Sequence, residues 1–248
     1  MKKYSLELHQ RRIVRVLGIA QVLNGVGVAG TVAAGSLLVA SITKSEGLSG
    51  LAQTTSVLGA AVMALPLARL TQNGGRRLAL TVGYSVGVIG AILAIFGGAQ
   101  GILFFMLLGA FMVGAASASG YQARFAAIDL ATPENRSKNL SFVVWGSTIG
   151  AVTGPNLMEP SGKFAEIFGL PKLVGPYFIA ATTLFFAVVV IQLFLKPDPY
   201  LTANKSEDGQ SQKKRETTRA ALAHIREYPV ALFAIASVAI GHLAMVSI

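Results

Sequence analysis

The chain has 248 residues, 53% of them hydrophobic and only 13% charged, where an ordinary soluble domain carries roughly a quarter charged residues; its mean hydropathy is +0.60. With no cysteine present, disulfide frameworks, thiolate nucleophiles, iron–sulfur clusters and cysteine-ligated zinc are excluded together. The formal net charge of +10 would point to nucleic acid in a soluble protein, so the placement of the charges decides their meaning.

The charges separate long uncharged runs, each close to the roughly 20 residues that carry a helix across a hydrocarbon core. Residues Met1 to Arg15 are basic and lead into an apolar stretch with no small-residue cleavage site, which predicts an anchor kept as part of helix one. Val16 to Thr43 predicts helix one, and Gly47 to Ala68 predicts helix two. Leu78 to Ala123 is uncharged over about two spans and predicts helices three and four, with Gly97-Gly98-Ala99-Gln100-Gly101 as the turn. Asn139 to Met158 predicts helix five and Leu173 to Leu195 helix six. Pro197 to Glu227 is polar and mixed in charge: Asn204 to Arg215 has linker composition, and Thr217 to Arg226 suits a short interfacial helix. Tyr228 to Ile248 opens helix seven, where the sequence stops.

Cationic loops resist translocation, so lysine and arginine placement orients the bundle. With the N-terminus inside, only Lys44, Lys163 and Lys172 fall outside. The high pI is thereby assigned to loops facing an anionic leaflet, and no nucleic-acid partner is expected. Helix one is dense in small residues, and helix five repeats Gly146, Gly150 and Gly154 at every fourth position. Such spacing lets helix backbones approach closely.

The turn between helices two and three reads Ala68-Arg-Leu-Thr-Gln-Asn-Gly-Gly-Arg-Arg77. It resembles the loop motif of the major facilitator superfamily, G-x-x-x-D-R/K-x-G-R/K-R/K, through Gly75, Arg76 and Arg77; Ala68 stands in the opening glycine position and Gln72 in the acidic one. Helix four ends in Asp129-Leu-Ala-Thr-Pro-Glu-Asn-Arg136, similar to the family's acidic-then-P-E-x-R ending. The resemblance implies an ion pair between Asp129 and Arg76 that acts in gating. Gly150-Ala-Val-Thr-Gly154-Pro155 in helix five resembles the G-x-x-x-G-P core that marks the family's exporter branch. Many proton-coupled exporters carry an arginine in helix four before a glycine-rich run, and that place is Ala110 here.

The resemblance implies an all-α integral membrane fold: a six-helix bundle of two inverted three-helix repeats (1–195), a cytoplasmic central loop (196–227) and an incomplete seventh transmembrane helix (228–248) belonging to a C-terminal half absent from this chain. It implies a secondary transporter, exporting a small molecule by alternating access from the plasma (inner) membrane, with lipid and substrate as partners. Residues suited to a substrate path are Gln21 and Asn24 on one face of helix one, with Gln53, Tyr121, Gln122, Arg124, Trp145 and Asn156. The competing class is a multi-span scaffold or inactive fragment that only contacts partners. Gly83-Tyr-Ser-Val-Gly87 spells a serine-hydrolase pattern, but it lies inside helix three without the strand–turn–helix context. With no phosphate loop and no H-E-x-x-H site, neither catalytic, metal nor cofactor-binding residues are expected.

Overall fold

The computed structural model describes residues 2–207 and 228–246, and all regular structure among them is helical. Seven helices, α1 (Lys2–Thr43), α2 (Leu51–Gln100), α3 (Leu103–Ala126), α4 (Arg136–Asn156), α5 (Met158–Ile167), α6 (Gly175–Phe194) and α7 (Pro199–Glu207), build a first compact unit, Met1–Ser206, save the last residue of α7. The eighth, α8 (Pro229–Val246), lies in a second unit, Glu207–Ile248. Within that unit Val230, Phe233 and Ile240 are exposed.

Four stretches among the described residues are long and apolar enough to cross a membrane: His9–Thr43, Glu46–Gln100, Leu103–Ala126 and Lys172–Asn204. The second has 55 residues, about 80 Å of helix at 1.5 Å per residue, and it folds back on itself at Gly75, so it supplies two crossings. α4 has 21 residues, about 30 Å and one span in length, but it opens on Arg136-Ser-Lys-Asn139 and is less apolar. The successive reversals bring the start of α1, the Gly75 kink, the α3–α4 connection and the end of α6 to one end of the bundle. There the Gln10 side chain donates to the Ala127 carbonyl at 2.8 Å, and Arg77 reaches Gln192 and Asp198. This is the basic end. At the other end two of the lysines expected outside are paired, Lys163 with Glu159 at 2.9 Å and Lys172 with Glu166 at 3.4 Å. The Lys163 ammonium, by hydrogen bond and charge, holds the exposed Glu159 carboxyl below its ordinary range.

Helix packing follows small residues, as expected where lipid removes most of the hydrophobic drive. α1 lies against α4, and a methyl group added at Gly150 would stand 2.5 Å from the Gly25 Cα. The α2–α3 seam, which the sequence reading did not single out, is equally close: a methyl at Gly109 would stand 2.5 Å from the Ala94 amide nitrogen. Larger side chains fill two layers. Leu17, Tyr84, Leu184 and Ile191 pack toward the basic end, and Leu38, Met106 and Tyr177 toward the other.

Several boundaries differ from the sequence reading. The segment after Ala68 is not an open loop, because α2 continues to Gly74 and the reversal is confined to Gly75. Gly97 and Gly98 are helical, and the turn is Gly101, which takes φ 68° and caps α2. α5 is an additional helix, and Pro199–Glu207 is helical where a loop was expected. The proposed interfacial helix and most of the linker lie outside the described residues.

Candidate functional site

Gly75 has φ 87° and ψ 173°, a region essentially reserved for glycine. One such residue reverses the chain between two long helices, so Arg76 and Arg77 emerge side by side but aim in different directions. A side chain at Gly75 would also run into the Asp198 carboxylate. The turn is therefore restricted to glycine twice over, by dihedral angle and by a neighbour.

Arg76 turns to α3. Its Nε donates to Asp129 Oδ2 at 2.8 Å, Nη2 to Oδ1 at 3.2 Å, and Nη1 to Gln122 Oε1 at 2.6 Å. The two charged side chains keep only 11% and 14% of their surface. A two-pronged pair removed from water holds its geometry far better than an exposed ion pair, and deleting one partner leaves the other charge stranded. The Tyr200 ring lies beneath the guanidinium, 5.7 Å from its carbon to the ring centroid. Such stacking is favourable for arginine.

Arg77 turns to α6. Its Nη2 donates to Gln192 Oε1 at 2.6 Å, and Gln192 passes a hydrogen bond to Thr81 at 2.9 Å. Its backbone N–H donates to Asp198 Oδ2 at 2.8 Å. The other oxygen of Asp198 accepts from the amides of Tyr200 and Leu201 at 3.0 and 3.1 Å, capping α7, with Pro199 at its first position. The two adjacent arginines thus bind the reversal to α3 on one side and to α6 and α7 on the other.

Of the residues read from sequence, Arg76 and Asp129 are brought together as the resemblance implied. Gln122, expected on a substrate path, instead accepts from Arg76. Arg124 lies in the last turn of α3, where a cation suits the helix dipole, and sits over the Tyr121 ring at 5.0 Å. Gln72 is exposed and Ala68 half-buried on α2. Gln21 and Asn24 are buried, at 2% and 6% exposure, and the Gln21 Oε1 and Asn24 Oδ1 carbonyl oxygens have no hydrogen-bond partner. A side chain at Gly120 on α3 would meet the Asn24 amide at 2.5 Å, so these carboxamides fill the space that glycine leaves. Gln53, Ala110 and Tyr177 line a cavity of about 10 Å³ near the opposite end. Trp145 is 68% exposed and Asn156 bonds its own helix at Val152; neither joins the other amides. Gly150 and Gly154 face α1, while Pro155 points away from it, exposed.

The sequence reading missed Asp198, Gln192 and Tyr200. Asp198 had a signal, since aspartate followed by proline marks a helix start, but it fell within the segment read as the central loop. Gln192 had none beyond being a polar residue in an apolar helix.

Residues 17–248 match the family model described as Major Facilitator Superfamily. The chain is 34% identical over 214 residues to the uncharacterized MFS-type transporter YdeG of Bacillus subtilis (strain 168), covering 86% of this chain and 50% of YdeG. It is 32% identical over 189 residues to YddS of the same organism, covering 76% of this chain and 43% of YddS. With the riboflavin transporter RfnT of Brucella anthropi it shares 29% identity over 171 residues, 66% of this chain and 43% of RfnT. The chain spans about half the length of these curated relatives. Its membrane-length helices, the arginine turn locked to the end of α3 and the match along nearly its whole length agree: this chain belongs to the major facilitator superfamily.

Proposed function

We propose that this chain is the N-terminal six-helix half (1–195), central loop (196–227) and opening of helix seven (228–248) of a secondary active transporter of the exporter branch. It works by alternating access in the plasma (inner) membrane, with the N-terminus and central loop cytoplasmic. The observation that carries this reading is the Arg76 fork on Asp129, nearly removed from water at the basic end. Formed, the pair holds the reversal against the end of α3; separating it exposes two charges to an incompletely wet space, which makes two discrete arrangements rather than a continuum. Asp198 couples the same turn to the start of α7, so movement of Gly75 loosens the chain entering the central loop.

The exporter assignment rests on Gly150 and Gly154, which seat helix five against helix one while Pro155 leaves the outer face of that helix without a backbone donor. The unpartnered Gln21 and Asn24 oxygens are acceptors suited to a substrate that carries N–H or O–H donors. Riboflavin, named for one relative, belongs in the substrate panel for that reason. The test is whole-cell efflux with the complete reading frame, comparing Asp129→Asn, Arg76→Gln and Arg124→Ala with the parent at matched membrane abundance. Efflux should fall by about tenfold or more for the first two, whose loss strands a charge worth several kcal/mol, and change little for Arg124→Ala. Unchanged efflux in both members of the pair would refute the gating role.

A further inference from the structure

At the basic end α1 and α6 enclose a groove of about 400 Å³ with two contrasting halves. Its mouth is formed by Arg11, Arg12 and Arg15, all exposed. Its floor and walls are Val16, Ile19, Val190 and Phe194, of which Ile19 is 54% and Phe194 48% exposed. Among residues 9–204 no carboxylate lines it, and none of the three arginines enters an ion pair with one of them. Arg11, Arg15 and Ile19 recur at every fourth position, so they form one stripe of α1 passing from charge to hydrocarbon. Arg15 is the last charge before the uncharged run that begins at Val16, which puts the change at the level where headgroups give way to acyl chains. A soluble anion would use the cations and leave the apolar channel without purpose; a neutral lipid would use the channel and leave three cations uncompensated.

We propose that this groove is a binding site for an anionic phospholipid, its phosphate held by Arg11, Arg12 and Arg15 and the first part of an acyl chain lying along Ile19, Val190 and Phe194. Each basic side chain near an anionic headgroup contributes about a fivefold preference. The site is separate from the arginine turn, so it stands whether or not the gating reading does.

The chain's single tryptophan, Trp145, makes a direct test possible. With Trp145→Phe as background, Phe194→Trp places a reporter in the groove, and Phe104→Trp, 68% exposed at the opposite end, serves as control. Each is reconstituted in phosphatidylcholine vesicles with brominated phosphatidylglycerol or brominated phosphatidylcholine at equal fraction. Quenching at Phe194→Trp should report a preference for phosphatidylglycerol of about tenfold or more, against none at Phe104→Trp. The preference should collapse in the Arg11→Gln, Arg12→Gln, Arg15→Gln triple variant and survive in the corresponding lysine triple, which keeps the charge and guards against misfolding. Equal quenching by the two lipids at Phe194→Trp, preference untouched by the glutamine triple, or displacement by excess inorganic phosphate would each overturn the proposal. Protection of the reporter from both brominated lipids would mean that protein covers the groove, and would overturn it equally.

Discussion

Replacing Gly75 by alanine should be far more damaging than replacing the glycine next to it. At Gly75 a Cβ must adopt φ 87°, ψ 173°, at about 1–3 kcal/mol. It must also displace the Asp198 carboxylate, losing the α7 cap at about 1 kcal/mol and the hydrogen bond from the Arg77 amide at about 1 kcal/mol. The sum is about 3–5 kcal/mol, which for a domain of this size lowers the melting temperature by on the order of 10 °C. Gly74 is the matched control: its Cβ would meet the end of the Leu78 side chain, which can rotate away, so the cost should stay under about 1 kcal/mol. Both variants are purified in mild detergent, heated in steps, and scored by the fraction that still elutes as a monodisperse peak. Adding Asp198→Ala to Gly75→Ala removes the collision but not the dihedral strain, so the double variant should be sub-additive by about 1–2 kcal/mol. Equal melting of the two glycine variants, or strict additivity in the double, would refute the reasoning.

Arg76→Gln and Asp129→Asn should each destabilise the detergent-solubilised chain by about 2–4 kcal/mol, and the double variant by less than their sum, because removing both avoids a stranded charge; thermal melts of the four-member cycle check this. Gly150→Ala forces α1 and α4 apart, with a cost of about 1–3 kcal/mol, whereas Ala151→Leu on the exposed side of the same helix should melt like the parent. Because the chain lacks cysteine, topology can be read with single replacements: Lys163→Cys should react with an impermeant maleimide in intact cells, and Lys213→Cys only after permeabilisation. Labelling of both from outside would overturn the orientation proposed here.

The order of the long helices was legible in the sequence because the bilayer imposes one requirement, about 20 uncharged residues, on every crossing. The Gly146, Gly150 and Gly154 repeat likewise showed which face of helix five would approach a neighbour, since a period of four defines a stripe on a helix whatever lies opposite. Arg76 with Asp129 was legible only through resemblance. Nothing local joins residues 53 positions apart, and the pair's distances and burial exist only once α2 reverses and α3 returns beside it. Asp198 is the clearest case of what tertiary structure alone decided. Its aspartate–proline step signals a helix start, but that its second oxygen meets the Arg77 amide, 121 positions away, follows from Gly75 lacking a side chain. The paths of the glutamines were equally hidden, because an amide in an apolar helix has the same local sequence whether it serves an arginine, as Gln122 does, or keeps an acceptor unpaired, as Gln21 does. Periodicity fixes what a helix offers to each side, while the partner that meets it depends on distances between helices that no single segment encodes.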